Sequence, residues 1–99
     1  MQKDIALQLG GLVVSKQGRD AGNFYIIVKV ESPDFVFCSN GENRTYQKPK
    51  RKRVKHLIIT HQVAAELNTK LAKGSKVDVS EIVFAIKKFK EKYLNEKNK

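Results

Sequence analysis

The feature that most constrains how this chain folds is a change in its hydrophobic pattern near residue 60. Before that point, apolar residues form short runs separated by glycine, proline, asparagine and aspartate, which is typical of strands joined by turns. After it, they recur every three or four residues, as they do on one face of a helix. At 99 residues the chain is long enough for one core but not for two. We therefore predict a mainly β domain over residues 1–59 and an α-helical appendage, packed on it, over residues 60–99.

Five short strands are predicted in the β domain. Residues 24–30 carry the clearest pattern, because aromatic and β-branched side chains follow one another there. The other four candidates are residues 12–15, 35–38, 44–46 and 56–60. Gly18 permits a tight loop after the first strand, and Asn40-Gly41 is a strong hairpin signal. Short strands joined by tight turns predict a small, curled antiparallel barrel.

Two short helices are predicted after the barrel. Thr60 is the candidate N-cap of the first helix, and Gly74 is its candidate end. Asp78 and Glu81 have the spacing of a capping box at the start of the second helix. One face of that helix carries the apolar residues Ile82, Ile86, Phe89 and Tyr93. We expect this face to pack on the rest of the domain, with Phe84 pointing away from it.

Charge is the strongest indication of function. The chain has 20 Lys and Arg against 10 Asp and Glu, a net charge of +10, which attracts polyanions such as nucleic acid. Residues 44–55 contain no acidic side chain, and their basic members are Arg44, Lys48, Lys50, Arg51, Lys52, Arg53 and Lys55. Pro49 favours an extended loop that leads into the next strand. An extended cationic segment can follow a row of phosphates and release their condensed counterions.

Other interpretations of this basic run stay open. It resembles a nuclear import signal, it could bind acidic lipid although no apolar anchor adjoins it, or it could be a solvated loop.

Aromatic residues offer a further contact, and Tyr46, between Arg44 and Lys48, is the best placed to stack on an unpaired base. Most aromatic side chains are needed in so small a core, although strict alternation would turn either Phe24 or Tyr25 outward.

The sequence offers no catalytic site, metal site, cofactor motif or small-molecule site. His56 and His61 lack a recognised ligand spacing, and Cys38 lies in an apolar strand, where we expect a buried, inert thiol. A single cysteine, no secretory signal and no membrane-spanning apolar run predict a cytoplasmic protein without a membrane partner.

Residues 11–28 resemble a KOW motif, which is a strand, a glycine-centred loop and a second strand within an SH3-like barrel. Gly18 stands at the position of the central glycine. Together with residues 48–52 and 55–57, the chain looks like the bacterial KOW-domain RNA-binding proteins akin to the archaeal and eukaryotic large-subunit ribosomal protein L-fourteen-e. One departure is that Asn23 or Phe24 stands where a commoner KOW pattern has another glycine.

The resemblance implies that loops of the barrel contact ribosomal or other structured RNA, with the large ribosomal subunit as a possible partner. On this chain the implication extends only to Lys16, Arg19 and residues 48–55. Arg19 is a candidate phosphate-binding residue independently of the resemblance, since a guanidinium can bond a phosphate bidentately. The alternative is that Arg19 pairs with Asp20, or points into solvent, in a purely structural turn.

Two functions from different classes follow from these observations. The first is a non-enzymatic RNA-binding protein, ribosome-associated or ribosomal-protein-like, that contacts phosphate backbone. The second is a KOW-type protein-interaction module that docks on the transcription or translation machinery. Binding to duplex DNA is a third interpretation, which a competition between RNA and DNA would test.

Overall fold

The computed structural model describes residues 7–42, 45 and 47–97. They form a five-stranded antiparallel sheet followed by two helices, which confirms the mainly β class with an α-helical appendage. The strands are β1 (Gly11–Ser15), β2 (Phe24–Val30), β3 (Phe35–Ser39), β4 (Lys50–Arg53) and β5 (Leu57–Val63). The helices are α1 (Ala65–Lys73) and α2 (Val79–Lys97), and single 3-10 turns occupy Gly18–Asp20 and Val54–His56.

The sheet is strongly curled. Its strand order is β4-β3-β2-β1-β5, so β4 and β5 lie at opposite edges. In a flat sheet these edges would be about 19 Å apart, since four spacings of about 4.8 Å separate them. Only the 3-10 turn Val54–His56 joins them, and four residue steps span at most about 14 Å. The two edges must therefore approach each other at this connection.

Both faces of the sheet are buried, each in its own apolar cluster. One cluster joins strand residues such as Leu12 and Ile26 to the two helices. The other consists of strand residues, which are Val13, Tyr25, Ile27, Val36, Cys38 and Leu57. These side chains therefore pack on one another inside the curl. Each of the two faces takes one of the neighbouring aromatic residues: Tyr25 is 3% exposed, whereas Phe24 is half-buried and packs against the helical cluster.

The first helix begins later than the sequence predicts. β5 continues through Thr60 to Val63, and the Thr60 hydroxyl donates a hydrogen bond to the Leu12 carbonyl at 2.7 Å. Thr60 therefore links two strands, and the prediction that it caps α1 is wrong. The predicted helix end is confirmed, because Gly74 closes α1 with a φ of 73°.

The predicted features of the second helix are confirmed. The Asp78 backbone N–H donates to the Glu81 carboxylate at 2.9 Å, which is one half of the capping box. Ile82 is buried in the helical cluster, and Ile86, Phe89 and Tyr93 pack against it. Phe84 is 65% exposed, as its position off this face predicts.

The fourth strand differs from the prediction. Residues 50–53 were expected in a loop, but they form β4 and pair with β3 from Cys38↔Lys50 to Phe35↔Arg53. The competing candidate, residues 44–46, includes Arg44 and Tyr46, which lie outside the described residues. The strand forms because its backbone completes an edge ladder, and none of its charged side chains is fully buried: Arg51 and Arg53 are exposed, and Lys50 and Lys52 are half-buried.

Candidate functional site

The basic run forms an edge strand that presents cations on both of its sides. Lys50 and Lys52 stand opposite Cys38 and Val36, whereas Arg51 and Arg53 stand opposite Phe37 and Phe35. Residues on one side of a strand recur about every 6.7 Å, so β4 carries two short rows of positive charge. Charged edge strands also protect sheets from pairing with other chains, and this protection alone could account for lysines here.

Aromatic rings lie close to Arg51, Lys52 and Arg53. The Arg51 guanidinium carbon is 3.7 Å from the centroid of the Phe35 ring, and that of Arg53 is 5.1 Å from the same centroid. On the other side, Lys52 Nζ is 4.6 Å from the centroid of the Tyr25 ring. Cations are attracted to the negative face of an aromatic ring. The rings therefore restrict where these three charges can point.

Arg51 is held by an acidic partner as well. Its Nη2 donates to Glu31 Oε2 at 2.7 Å, and its Nε donates to Glu31 Oε1 at 3.1 Å. The hydrogen bond from Arg51 lowers the pKa of the Glu31 carboxyl, and the same bond raises the pKa of Arg51. A phosphate that approached Arg51 would compete with Glu31 for the same donors.

A cleft of about 410 Å³ brings β4 together with the glycine loop. We call it the basic cleft. The loop side contributes Gln17, Gly18 and Arg19, and the opposite side contributes all four residues of β4. The remaining lining residues are Ser15, Phe35, His56 and Leu57. Arg19 and the four basic residues of β4, which were all predicted as site residues, therefore share one concave surface although Arg19 is distant from β4 in sequence.

The loop that carries Arg19 is fixed by backbone hydrogen bonds. Gly18 has a φ of +72°, in the left-handed region that favours glycine. The Gly22 N–H donates to the Ser15 carbonyl at 2.7 Å, and the Ser15 N–H donates to the Asn23 carbonyl at 2.9 Å. These bonds hold the loop closed. Arg19 is therefore presented from a defined turn, even though its side chain is exposed.

The other predicted site residues lie around the cleft or outside the described residues. Lys16 precedes the loop, and its backbone N–H donates to the His56 carbonyl at 3.0 Å, although its side chain does not line the cleft. Lys48 and Lys55 are exposed and flank the two ends of β4. Arg44 and Tyr46 lie outside the described residues. The predicted site residues did not include Phe35, His56 or Glu31. The register of β4 against β3 brings Phe35 to the cleft, the turn after β4 brings His56 there, and Glu31 reaches Arg51 from outside the lining.

Cys38 is 0% exposed, as predicted, and burial raises the pKa of its thiol to about 12. Within residues 7–42, 45 and 47–97, no group of three or more His, Cys, Asp or Glu residues could hold a metal ion. Among the helices of these same residues, none combines the length and the hydropathy required to cross a bilayer.

Comparison of the chain with protein-family models and with curated proteins finds no match. The residues and their geometry therefore have to indicate the function. The strongest element of that geometry is the basic cleft, where Arg19 faces the cationic edge strand.

Proposed function

We propose that this chain binds structured RNA, with backbone phosphates held in the basic cleft. The observation that carries the proposal is the convergence of Arg19 with Lys50–Arg53 on one concave surface. Each phosphate contact releases condensed counterions, and a row of cations on a rigid strand makes several contacts at once. Phosphate contacts position a protein without reading sequence, so specificity would come from the shape of the RNA.

We further propose that the curled sheet is an SH3-like barrel with a KOW motif. β1, the loop around Gly18 and β2 have the strand, glycine loop and strand order of that motif. The short connection between the two edge strands supports closure of the curl. By this resemblance, the RNA is ribosomal RNA, the partner is the large ribosomal subunit, and the protein acts in the cytoplasm without a cofactor.

Crosslinking in cells tests the proposal most broadly. Irradiation, purification of the full chain and sequencing of the attached RNA should recover a small set of sites in structured RNA. Peptides that retain a crosslinked nucleotide should map to residues 16–19 and 48–55. Recovery of no RNA above the level of an untagged control would contradict the proposal.

The second candidate function, a protein-interaction module, is favoured by one observation. Phe84 is 65% exposed on α2 and borders an apolar hollow beside α1, a surface that could receive a protein partner. The two functions are separated by purification with and without RNase. Partners that persist after RNase treatment and disappear in Phe84→Ala would support the protein-interaction module.

The ion pair between Glu31 and Arg51 leads to a testable prediction about RNA affinity. Glu31→Gln removes the carboxylate that occupies the Arg51 guanidinium. An exposed pair of this kind is weak, because water and salt screen it. We therefore expect RNA to bind about two- to fivefold more tightly, as measured by fluorescence anisotropy at low salt. Glu66→Gln is the matched control, because it removes the same charge from α1, away from the basic cleft. Equal gains in the two variants would show that only net charge matters.

A further inference from the structure

A second hollow lies on the other side of the glycine loop. Its volume is about 770 Å³, and it lies between α2, the start of β2 and residues just after β3. We call it the α2 groove. The loop contributes Gly22 and Asn23 to this groove, just as it contributes Gln17, Gly18 and Arg19 to the basic cleft. The two concave surfaces are therefore separated by one loop of the chain.

The floor of the α2 groove is apolar and includes an aromatic ring. Phe24 is half-buried and lies edge-to-face with Tyr93, with ring centroids 6.1 Å apart. Lys90 Nζ is 5.1 Å from the centroid of the Phe24 ring. Val83 and Leu94 also line the groove, and each is 40% exposed although it is apolar. A flat, apolar group would cover surface that now faces water.

The rim of the groove carries groups that disfavour a phosphate but suit a base. Glu42 and Glu91 line it, and their negative charges oppose those of Lys87 and Lys90. A phosphate would meet these carboxylates, whereas an exocyclic amino group of a base could donate hydrogen bonds to them. The exposed Asn23 amide offers both a donor and an acceptor. This chemistry matches a neutral heterocycle with a polar edge.

We infer that the α2 groove binds one unpaired nucleobase of the RNA whose backbone lies in the basic cleft. The inference rests on the proposed function, since the loop at residues 17–23 lies between the two surfaces. The base takes the place of Lys90 Nζ over the Phe24 ring and stacks there, and its amino edge faces Glu42 and Glu91. Single-stranded and bulged nucleotides can supply such a base, because their faces and edges are not occupied by pairing.

Two RNA hairpins that differ by one nucleotide test this inference. One has a fully paired stem, and the other carries a single bulged adenosine in the same stem. We expect the bulged hairpin to bind the full chain about tenfold more tightly, within the range that stacking of a base on an aromatic ring supplies. Phe24→Leu keeps an apolar side chain in the floor and should reduce the ratio of the two affinities to about one.

Two further variants control for folding and for composition. Asn23→Ala changes an exposed side chain of the groove and should also lower the ratio of the affinities. Phe84→Leu makes the same chemical change as Phe24→Leu at an exposed site outside the groove, and it should leave the ratio unchanged. Thermal unfolding of each variant, compared with the unaltered chain, establishes that the fold is retained.

The outcomes separate this inference from the proposed function. Equal affinity for the two hairpins, with both bound, would overturn the nucleobase site and leave phosphate binding in place. A tenfold preference that persists in Phe24→Leu and Asn23→Ala would also overturn it, because the base would then bind elsewhere. Failure of both hairpins to bind would overturn the proposed function and the nucleobase site together.

Discussion

Replacing all four cations of β4 with glutamine is expected to weaken the binding of structured RNA on the order of a thousandfold at 0.1 M salt. The reason is counterion release, which contributes about 0.7–0.9 log unit per phosphate contact at this salt concentration. The four residues are Lys50, Arg51, Lys52 and Arg53. Fluorescence anisotropy with a labelled hairpin measures the affinity. The log–log dependence on salt should also become shallower, because fewer contacts remain.

A matched variant separates the position of these charges from their number. Glutamine at Lys73, Lys76, Lys88 and Lys92 also removes four positive charges, from exposed positions that line neither the basic cleft nor the α2 groove. We expect this variant to lose far less affinity. Both variants should unfold at a similar temperature to the unaltered chain, since glutamine keeps the backbone ladder of β4. Equal losses in the two variants would show that only the net charge attracts RNA.

Gly10→Ala is expected to destabilise the fold by about 3–4 kcal/mol, a large part of the roughly 5–15 kcal/mol typical of small domains. A Cβ at Gly10 would lie 2.8 Å from the backbone nitrogen of Asn68 and 2.9 Å from the carbonyl oxygen of Ala64. Overpacking of this kind costs about 1–3 kcal/mol. The φ of +81° adds about 1–2 kcal/mol for a residue with a side chain.

Gly18→Ala is the control that isolates the packing contribution. Gly18 has a similar φ of +72°, but a Cβ there would meet nothing within 4 Å. We expect Gly18→Ala to lower the free energy of unfolding only by the backbone contribution, about 1–2 kcal/mol. Chemical denaturation of both variants measures the free energies of unfolding. Equal losses at the two glycines would show that Gly10 does not lie as close to Ala64 and Asn68 as described.

Local sequence signals predict the elements whose formation depends on local chemistry. β2 has a continuous run of β-branched and aromatic residues, and α1 ends at a glycine with positive φ, so both were predicted. The apolar face of α2 was predicted for the same reason, because four residues at helical spacing must be buried together. The burial of Cys38 was also predicted, since an apolar strand in a small domain has both faces covered.

The elements that the sequence does not predict depend on pairing between distant residues. Pro49 and a run of like charges favour a loop locally, yet residues 50–53 form a strand because β3 offers an unpaired edge. Thr60 has the chemistry of an N-cap, but its hydroxyl bonds the Leu12 carbonyl across the sheet. The basic residues of the cleft were predicted from the sequence, but their arrangement around one hollow was not. Its partners Phe35 and Glu31 follow from a register that no local pattern contains.

The most direct test of the account is a titration of purified chain with a structured RNA over a series of salt concentrations. About five phosphate contacts in the basic cleft predict that log Kd rises steadily with the logarithm of the salt concentration, with a slope near 4. Replacing the cations of β4 should flatten that slope to about 1. Absence of binding at 50 mM salt, or a slope that is unaffected by the loss of these cations, would contradict the central claim.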